Sequence, residues 1–289
     1  MASTQALKGR IRSVTSTKQI TKAMELVAAS KMRRAQDSTK ASAPYTAAAT
    51  SLLENLAGHV SVQTHPLFQK RDVKARLFIV IASDKGLAGA FNSNIIKLYA
   101  QELKKDDEAG IKNKTITVGR KASQFVARVK DTDVVGSYED TPDRPDGHEL
   151  RAILDTAKDL FEAGEVDAVD VIYTDYVTSL TQIARSKRLL PAGVNYENTP
   201  HAVKDVLYEP STEEVLDGIV YRLVGAQLFQ ALLDSRASEH SMRMVAMRNA
   251  TDNASDLIED LTLAMNKARQ GAITQELAEI SGGVEARNE

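Results

Sequence analysis

Toward the end of the chain, apolar residues recur at alternating gaps of four and three without a slip. The series runs from Ile219 and Leu223 through Ala237, Met247, Ala254 and Leu261 to Ala272, and only Gln230, His240 and Thr251 in it are polar. A seven-residue repeat sustained this long is a coiled-coil seam and predicts a helix with a partner along its length. No proline follows Pro210 to break the helix, and the adjacent Gly282 and Gly283 predict its end. Residues 211–281 therefore read as one helix, roughly 105 Å long at 1.5 Å per residue. Residues 282–289 read as a tail.

The opening of the chain is the candidate partner. Residues 1–43 hold no proline and one glycine, Gly9, and are rich in Ala, Lys, Arg, Met and Gln, which favour helix. Leu7, Ile11 and Val14 form one apolar stripe; Ile20, Met24, Val27 and Ala28 form a second, continued by Met32 and Ala35. The gap between Val14 and Ile20 predicts a less regular helix with two faces. Pro44 predicts a kink, with helix resuming to about Ala57 and ending at Gly58. Bases dominate before Pro44, whereas the C-terminal helix leans acidic through residues such as Glu213, Asp234, Glu239 and Glu259. Opposite charge favours pairing of the two helices across a shared seam. A parallel homodimer through the C-terminal helix is the competing arrangement.

Between the helices the pattern changes. Leu77-Phe78-Ile79-Val80-Ile81-Ala82 is a continuous apolar run, as expected of a strand buried on both faces. Further strands are predicted near 115–118, 134–135 and 169–174, with an edge strand in 179–190. Helices are predicted near 93–104, 121–128 and 148–162. This alternation gives an open α/β, Rossmann-like sheet inserted between the terminal helices. The organisation is then a helix over 1–58, a linker over 59–75, an α/β domain over 76–195, a linker over 196–210, the long helix over 211–281 and the tail.

Composition removes several function classes. The chain has no cysteine, so disulfides, thiolate zinc sites and thiol switches are excluded. Its five histidines lack metal-ligand spacing, and no apolar run approaches the length of a membrane span. A net charge of −2 gives no whole-molecule attraction to nucleic acid, although the basic first helix could bind it locally. That helix also mimics a mitochondrial transit peptide, but its stripes outlast one. The loop Ser83–Asn92 follows a strand and precedes a helix, where α/β folds hold phosphate. It lacks both Gly-x-Gly-x-x-Gly and Gly-Lys-Ser/Thr, so Gly86 and Gly89 read as turn residues. No nucleophile, acid–base pair or cofactor motif is evident, which favours a mechanical part over an enzyme.

Two segments are richer than a plain coil needs: Gln19–Arg33 and Asn266–Ile280 mix apolar residues off the seam with donors and acceptors. Here the chain closely resembles the gamma subunit of F-type ATP synthases. Ile20–Met32 resembles the family's Ile-Thr-Lys-Ala-Met-x-x-Val-Ala-Ala-Ser-Lys-Met. Met244–Asn253 and Asn266–Leu277 resemble its C-terminal motifs, Asp84–Asn92 its Asp-Arg/Lys-Gly-Leu-Cys-Gly loop, and Leu207–Pro210 its Tyr-Glu-Pro segment. Ala88 stands where the family often has Cys, and the cysteine insert of chloroplast relatives is missing.

The resemblance implies an antiparallel, left-handed two-helix coiled coil with an α/β domain at its foot. It implies a rotor shaft, itself without catalytic residue, cofactor or metal, inside a ring of alpha and beta subunits whose beta subunits catalyse. Epsilon and the membrane c-ring would bind the foot, and the proton current would turn the shaft. By the same resemblance the ring-facing residues are Met24, Lys31, Arg243, Lys267, Arg269, Gln270, Thr274 and Glu276. Ile273, Leu277 and Ile280 would form an apolar tip, and Tyr208 and Glu209 would lie toward the c-ring or epsilon. The match starts directly after Met1, which implies no presequence and a bacterial source. The location implied is peripheral, on the cytoplasmic face of the cell membrane, with no direct insertion and no nucleic-acid partner. The alternative from another class is a coiled-coil adaptor whose basic helix binds nucleic acid.

Overall fold

The structure, a computed structural model, describes residues 4–57, 62, 65–130, 132–142, 147–193 and 212–285. Its contacts separate two units, Met1–Ala28 with Met244–Glu289, and Ala29–Arg243.

The larger unit is built on a sheet. Strand β1 (Ala75–Ile81) leads through helix α2 (Phe91–Ala109) to β2 (Lys112–Val118). Helix α3 (Arg120–Val126) follows, then β3 (Asp133–Tyr138), helix α4 (His148–Glu162), β4 (Ala168–Tyr176) and β5 (Gln182–Leu190). Before and after these lie the terminal helices α1 (Thr4–Ala57) and α5 (Thr212–Glu285). The spatial order is β3-β2-β1-β4-β5. The first four strands are parallel and β5 is an antiparallel edge. β1 is central, with Ile79 between Ile116 and Val171, which is why its apolar residues do not alternate with polar ones. Leu77, Ile79 and Ile81 pack with α4 and the terminal helices. Phe78 and Val80 pack on the other face with Ile95 and Tyr99 of α2 and Ala122 and Val126 of α3.

Two glycines fix close approaches. Gly119 joins β2 to α3 at φ 94°, and a Cβ there would lie 2.2 Å from the Ala82 carbonyl oxygen. Gly193, at φ 68°, follows β5 against the end of α1, where a Cβ would meet the Leu53 carbonyl oxygen at 2.6 Å.

The terminal helices pair with each other, in opposite directions. In the larger unit Thr46 donates to the Ala226 carbonyl (3.5 Å), Gln227 to the Thr50 hydroxyl (2.9 Å) and Gln230 to the Thr39 carbonyl (3.5 Å). In the smaller unit the Thr21 and Thr251 hydroxyls meet at 2.8 Å. In the larger unit the step forward from Thr39 to Thr46 in α1 is matched by a step back from Gln230 to Ala226 in α5. The seam is thus filled within one chain, which displaces the parallel homodimer. A strict seven-residue repeat winds such a pair left-handed.

Helix α1 differs from its sequence reading. Its buried and half-buried positions include an unbroken four–three series, Leu7, Ile11, Val14, Lys18, Thr21, Glu25, Ala28, Met32, Ala35, Thr39, Ser42, Thr46, Ala49 and Leu53. The seam does not shift after Val14; it passes through polar residues. Ile20 and Val27, assigned to the seam from their apolarity, face outward at 58% and 56% exposure. Pro44 lies inside a single helix. It sits at an exposed position, where the ring can point away from the partner. α5 continues past Gly282 and Gly283 to Glu285. The linker over 196–210 lies outside the described residues.

Candidate functional site

In doubly wound sheets ligands bind beyond the carboxyl ends of the strands, where the strand order reverses. That point here lies between β1 and β4, and α5 crosses it. Ser235 Oγ accepts the Thr174 amide proton (3.0 Å) at the end of β4, and Ser238 donates to the Thr174 carbonyl (3.3 Å). Ser241 donates to the Ser179 carbonyl (2.6 Å) in the β4–β5 hairpin. On the β1 side, Arg243 donates to the Lys85 carbonyl (3.1 Å) and the Gly86 carbonyl (3.2 Å). Arg236 faces Asp84 at 3.6 Å and donates to the Thr141 carbonyl at 2.8 Å. Glu239 bridges the two arginines, 3.1 Å from Arg236 and 2.8 Å from Arg243. The loop after β1, whose position suggests a phosphate cradle, is held by the chain's own guanidinium groups.

Small residues allow this approach. Ser235, Ser238 and Ser241 bring α5 close to the sheet, and residues 231–241 are all buried. Asp234 is buried on this stretch and accepts from Gln230 at 3.0 Å. Burial, reinforced by the charge of Asp175, pushes its carboxyl up to about 6. Burial likewise raises the Tyr173 hydroxyl to about 12 and lowers the Lys187 ammonium. A half-buried strip of mixed charge thus lies where β4 and β5 meet the terminal helices.

The residues assigned by resemblance fall into separate groups. Lys267, Arg269, Gln270, Thr274 and Glu276 lie exposed on the last turns of α5, and the Thr274 hydroxyl donates to the Gln270 carbonyl (2.9 Å). Ile273, Leu277 and Ile280 share this end at 51%, 60% and 60% exposure. The register explains their exposure. The step from Thr21 back to Thr4 equals the step from Thr251 forward to Ala268, so the turns beyond Ala268 have no described α1 residue beside them. Met24 is half-buried on α1 and falls in line with exposed Ile20 and Val27; Lys31 is half-buried. The side chain of Arg243 is 12% exposed and held in the clamp on Lys85 and Gly86. Tyr208 and Glu209 lie outside the described residues. Sequence reasoning missed Asp234, Arg236 and Glu239, which a heptad pattern assigns to the solvent side. The short serine spacing around them was the available signal.

Antiparallel terminal helices, and a sheet whose ligand crevice is filled by one of them, define a stalk-type protein. The ATP synthase family model matches residues 3–286. The ATP synthase gamma chain of Stenotrophomonas maltophilia strain R551-3 is 42% identical over 287 residues, covering 99% of this chain and all of the relative. That of Xanthomonas campestris pv. campestris strain B100 is 39% identical over the same span. Among solved structures, the Tetrahymena thermophila mitochondrial ATP synthase central stalk and c-ring contains a chain 26% identical, with a TM-score of 0.64. The match covers 80% of this chain and 99% of that one. A Euglena gracilis mitochondrial ATP synthase chain shares the fold at 18% identity, with a TM-score of 0.70 over 98% of this chain and 94% of that one. The chain belongs to the ATP synthase gamma-chain family and has the central-stalk fold.

Proposed function

We propose that this chain is the non-catalytic rotor shaft of a proton-translocating ATP synthase, turning inside a ring of alpha and beta subunits. The end of α5 carries the reading. A bare helical end exposing Ile273, Leu277 and Ile280 beside Lys267, Arg269, Gln270, Thr274 and Glu276 calls for a protein cover. The ring supplies one. One asymmetric shaft touches each beta subunit of a threefold ring differently, and differential contact shifts each subunit's open–closed equilibrium. Reciprocity lets nucleotide binding in the ring push the shaft.

The basic residues Lys31, Lys267 and Arg269 suit acidic segments of the ring, and Met24 continues the outward stripe of Ile20 and Val27. The apolar tip suits a collar that holds without favouring an angle, because apolar contact is non-directional. The α/β domain takes epsilon and the c-ring, and the family resemblance assigns Tyr208 and Glu209, outside the described residues, to those contacts. No helix among the described residues is long and apolar enough to cross a membrane, which fits a peripheral subunit held at the cytoplasmic face by the c-ring.

Co-assembly tests this function. Purified alpha and beta subunits mixed with this chain should yield one complex with Mg-ATPase activity well above that of the unassembled subunits. The chain alone should give no heat on titration with Mg-ATP. Assembly failure, or micromolar ATP binding by the isolated chain, would overturn the proposal.

A further inference from the structure

We infer that Asp84, Arg236 and Glu239 form a torsional lock that makes the sheet and α5 turn as one body. The inference rests on the rotor reading and adds a place where torque is held.

The contacts are confined and buried. The side chains of Asp84, Arg236 and Glu239 are 10%, 7% and 5% exposed. Arg236 spends one terminal nitrogen on Glu239 at 3.1 Å. The other lies 3.6 Å from Asp84 and donates to the Thr141 carbonyl at 2.8 Å. The second oxygen of Asp84 accepts the amide protons of Arg120 and Asp140, both at 3.0 Å. One guanidinium therefore ties α5 to the loops after β1 and β3 and, through Asp84, to the start of α3.

The surface around the lock explains why such pins are needed. Knobs packed into holes resist a helix turning about its own axis. Against the end of β4 and the β4–β5 hairpin, however, α5 presents Ser235, Ser238 and Ser241, which are too small to interdigitate deeply. Apolar contact is non-directional, so resistance to a twist falls to directional bonds. Charge-assisted hydrogen bonds in a dry site are the stiffest of these. A buried ion network is a poor way to gain stability, since apolar residues of similar volume serve as well or better. Its fit to a positional task is what this geometry offers. Asp84, Arg236 and Glu239 are positioning residues: they touch no reacting group and act by holding α5 at a fixed angle to the sheet.

The test uses the whole complex in vesicles, with hydrolysis and ATP-driven proton pumping measured together. Three chains are compared with the parent: Arg236→Lys, Arg236→Met, and the triple variant Asp84→Asn/Arg236→Met/Glu239→Gln. The triple variant removes Arg236 and both carboxylates together and leaves Arg243 on the Lys85 and Gly86 carbonyls, so it should assemble and melt near the parent. Protons pumped per ATP should nevertheless fall by about threefold or more, because neutralising a network repairs its desolvation penalty without restoring its directional bonds. Arg236→Lys keeps the charge but loses the fork and should fall between parent and triple variant. Parent-like pumping by the triple variant would reduce the lock to packing and overturn the inference. So would failure of the triple variant to assemble while Arg236→Lys pumps normally, for the network would then be a folding element. If the parent complex itself does not pump, it is the rotor reading that fails.

Discussion

The hydroxyls of Thr21 and Thr251 meet at 2.8 Å inside the seam between α1 and α5. Thr251 also lies 2.8 Å from the Met247 carbonyl, and Thr21 lies 3.0 Å from that of Lys18. Both oxygens are therefore satisfied while buried. The pair penalises a slip of one heptad, which would set Thr21 against Met244 or Ile258 and Thr251 against Val14 or Ala28.

The first prediction concerns this register. Thr21→Val should cost on the order of 1 kcal/mol, since Thr251 keeps its bond to Met247. Thr21→Val with Thr251→Val should recover that loss but relax the register. Spin labels on the exposed positions Lys22 and Asp252 should give one short, narrow distance in the parent monomer and a broader distribution in the double variant. Distances that shorten only on dimerisation, or identical distributions, would refute it.

The second concerns pH. The Asp234 carboxyl is raised by burial to about 6, so the fold favours the neutral acid. Its contribution is complete below about pH 4, the ordinary carboxylate range, and is lost as pH rises through 6. The difference is at most about 3 kcal/mol. Asp234→Asn keeps an acceptor for Gln230 and removes the titration. Melting curves should place the variant close to the parent at pH 4 and clearly above it at pH 8. A gap that stays constant across that range would show that folding leaves the Asp234 titration unshifted.

A third follows from Gly119. Its φ of 94° and the 2.2 Å approach of a Cβ to the Ala82 carbonyl oxygen forbid a side chain without moving β1 away from the turn. Gly119→Ala should cost about 3 kcal/mol or more. Gly9→Ala, where a Cβ meets nothing within 4 Å, should be neutral or slightly stabilising. Chemical denaturation of both variants decides it, and equal midpoints would contradict the tight turn.

How much was legible depended on which side of an element packing reached. The α5 seam and β1 were readable because apolar residues mark them at nearly every position. The α1 seam was not, because Lys18, Thr21, Glu25, Thr39, Ser42 and Thr46 occupy it and Ile20 and Val27 lie off it. Polar residues can line a two-helix seam because long stems and small hydroxyls leave the backbones close. The burial of Asp234, Arg236 and Glu239 was hidden for another reason. A heptad pattern describes one partner, whereas α5 has α1 on one side and the sheet on the other. The candidate contacts at the end of α5 came from family likeness alone. Periodicity predicts a helix there and says nothing about its missing partner.

The fourth prediction addresses that end. Gln270 and Thr274 lie one turn apart, and the Thr274 hydroxyl is 2.9 Å from the Gln270 carbonyl. If the ring grips these groups, replacing both with Ala leaves partner groups unsatisfied, at on the order of 1–3 kcal/mol each. A grip that breaks at every turn should appear in rate and coupling more than in assembly. The double variant should assemble fully with an altered ATPase rate or pumping ratio. Parent values for all three would make these residues ordinary helix surface.

Rotation itself is the most direct test. The chain contains no cysteine, so Lys104→Cys on the exposed side of α2 gives one site for a reporter bead. With the ring fixed to a surface through its beta subunits, Mg-ATP should drive that bead stepwise and always in one direction. A complex that hydrolyses Mg-ATP at full rate while the bead shows only undirected jitter would contradict the account.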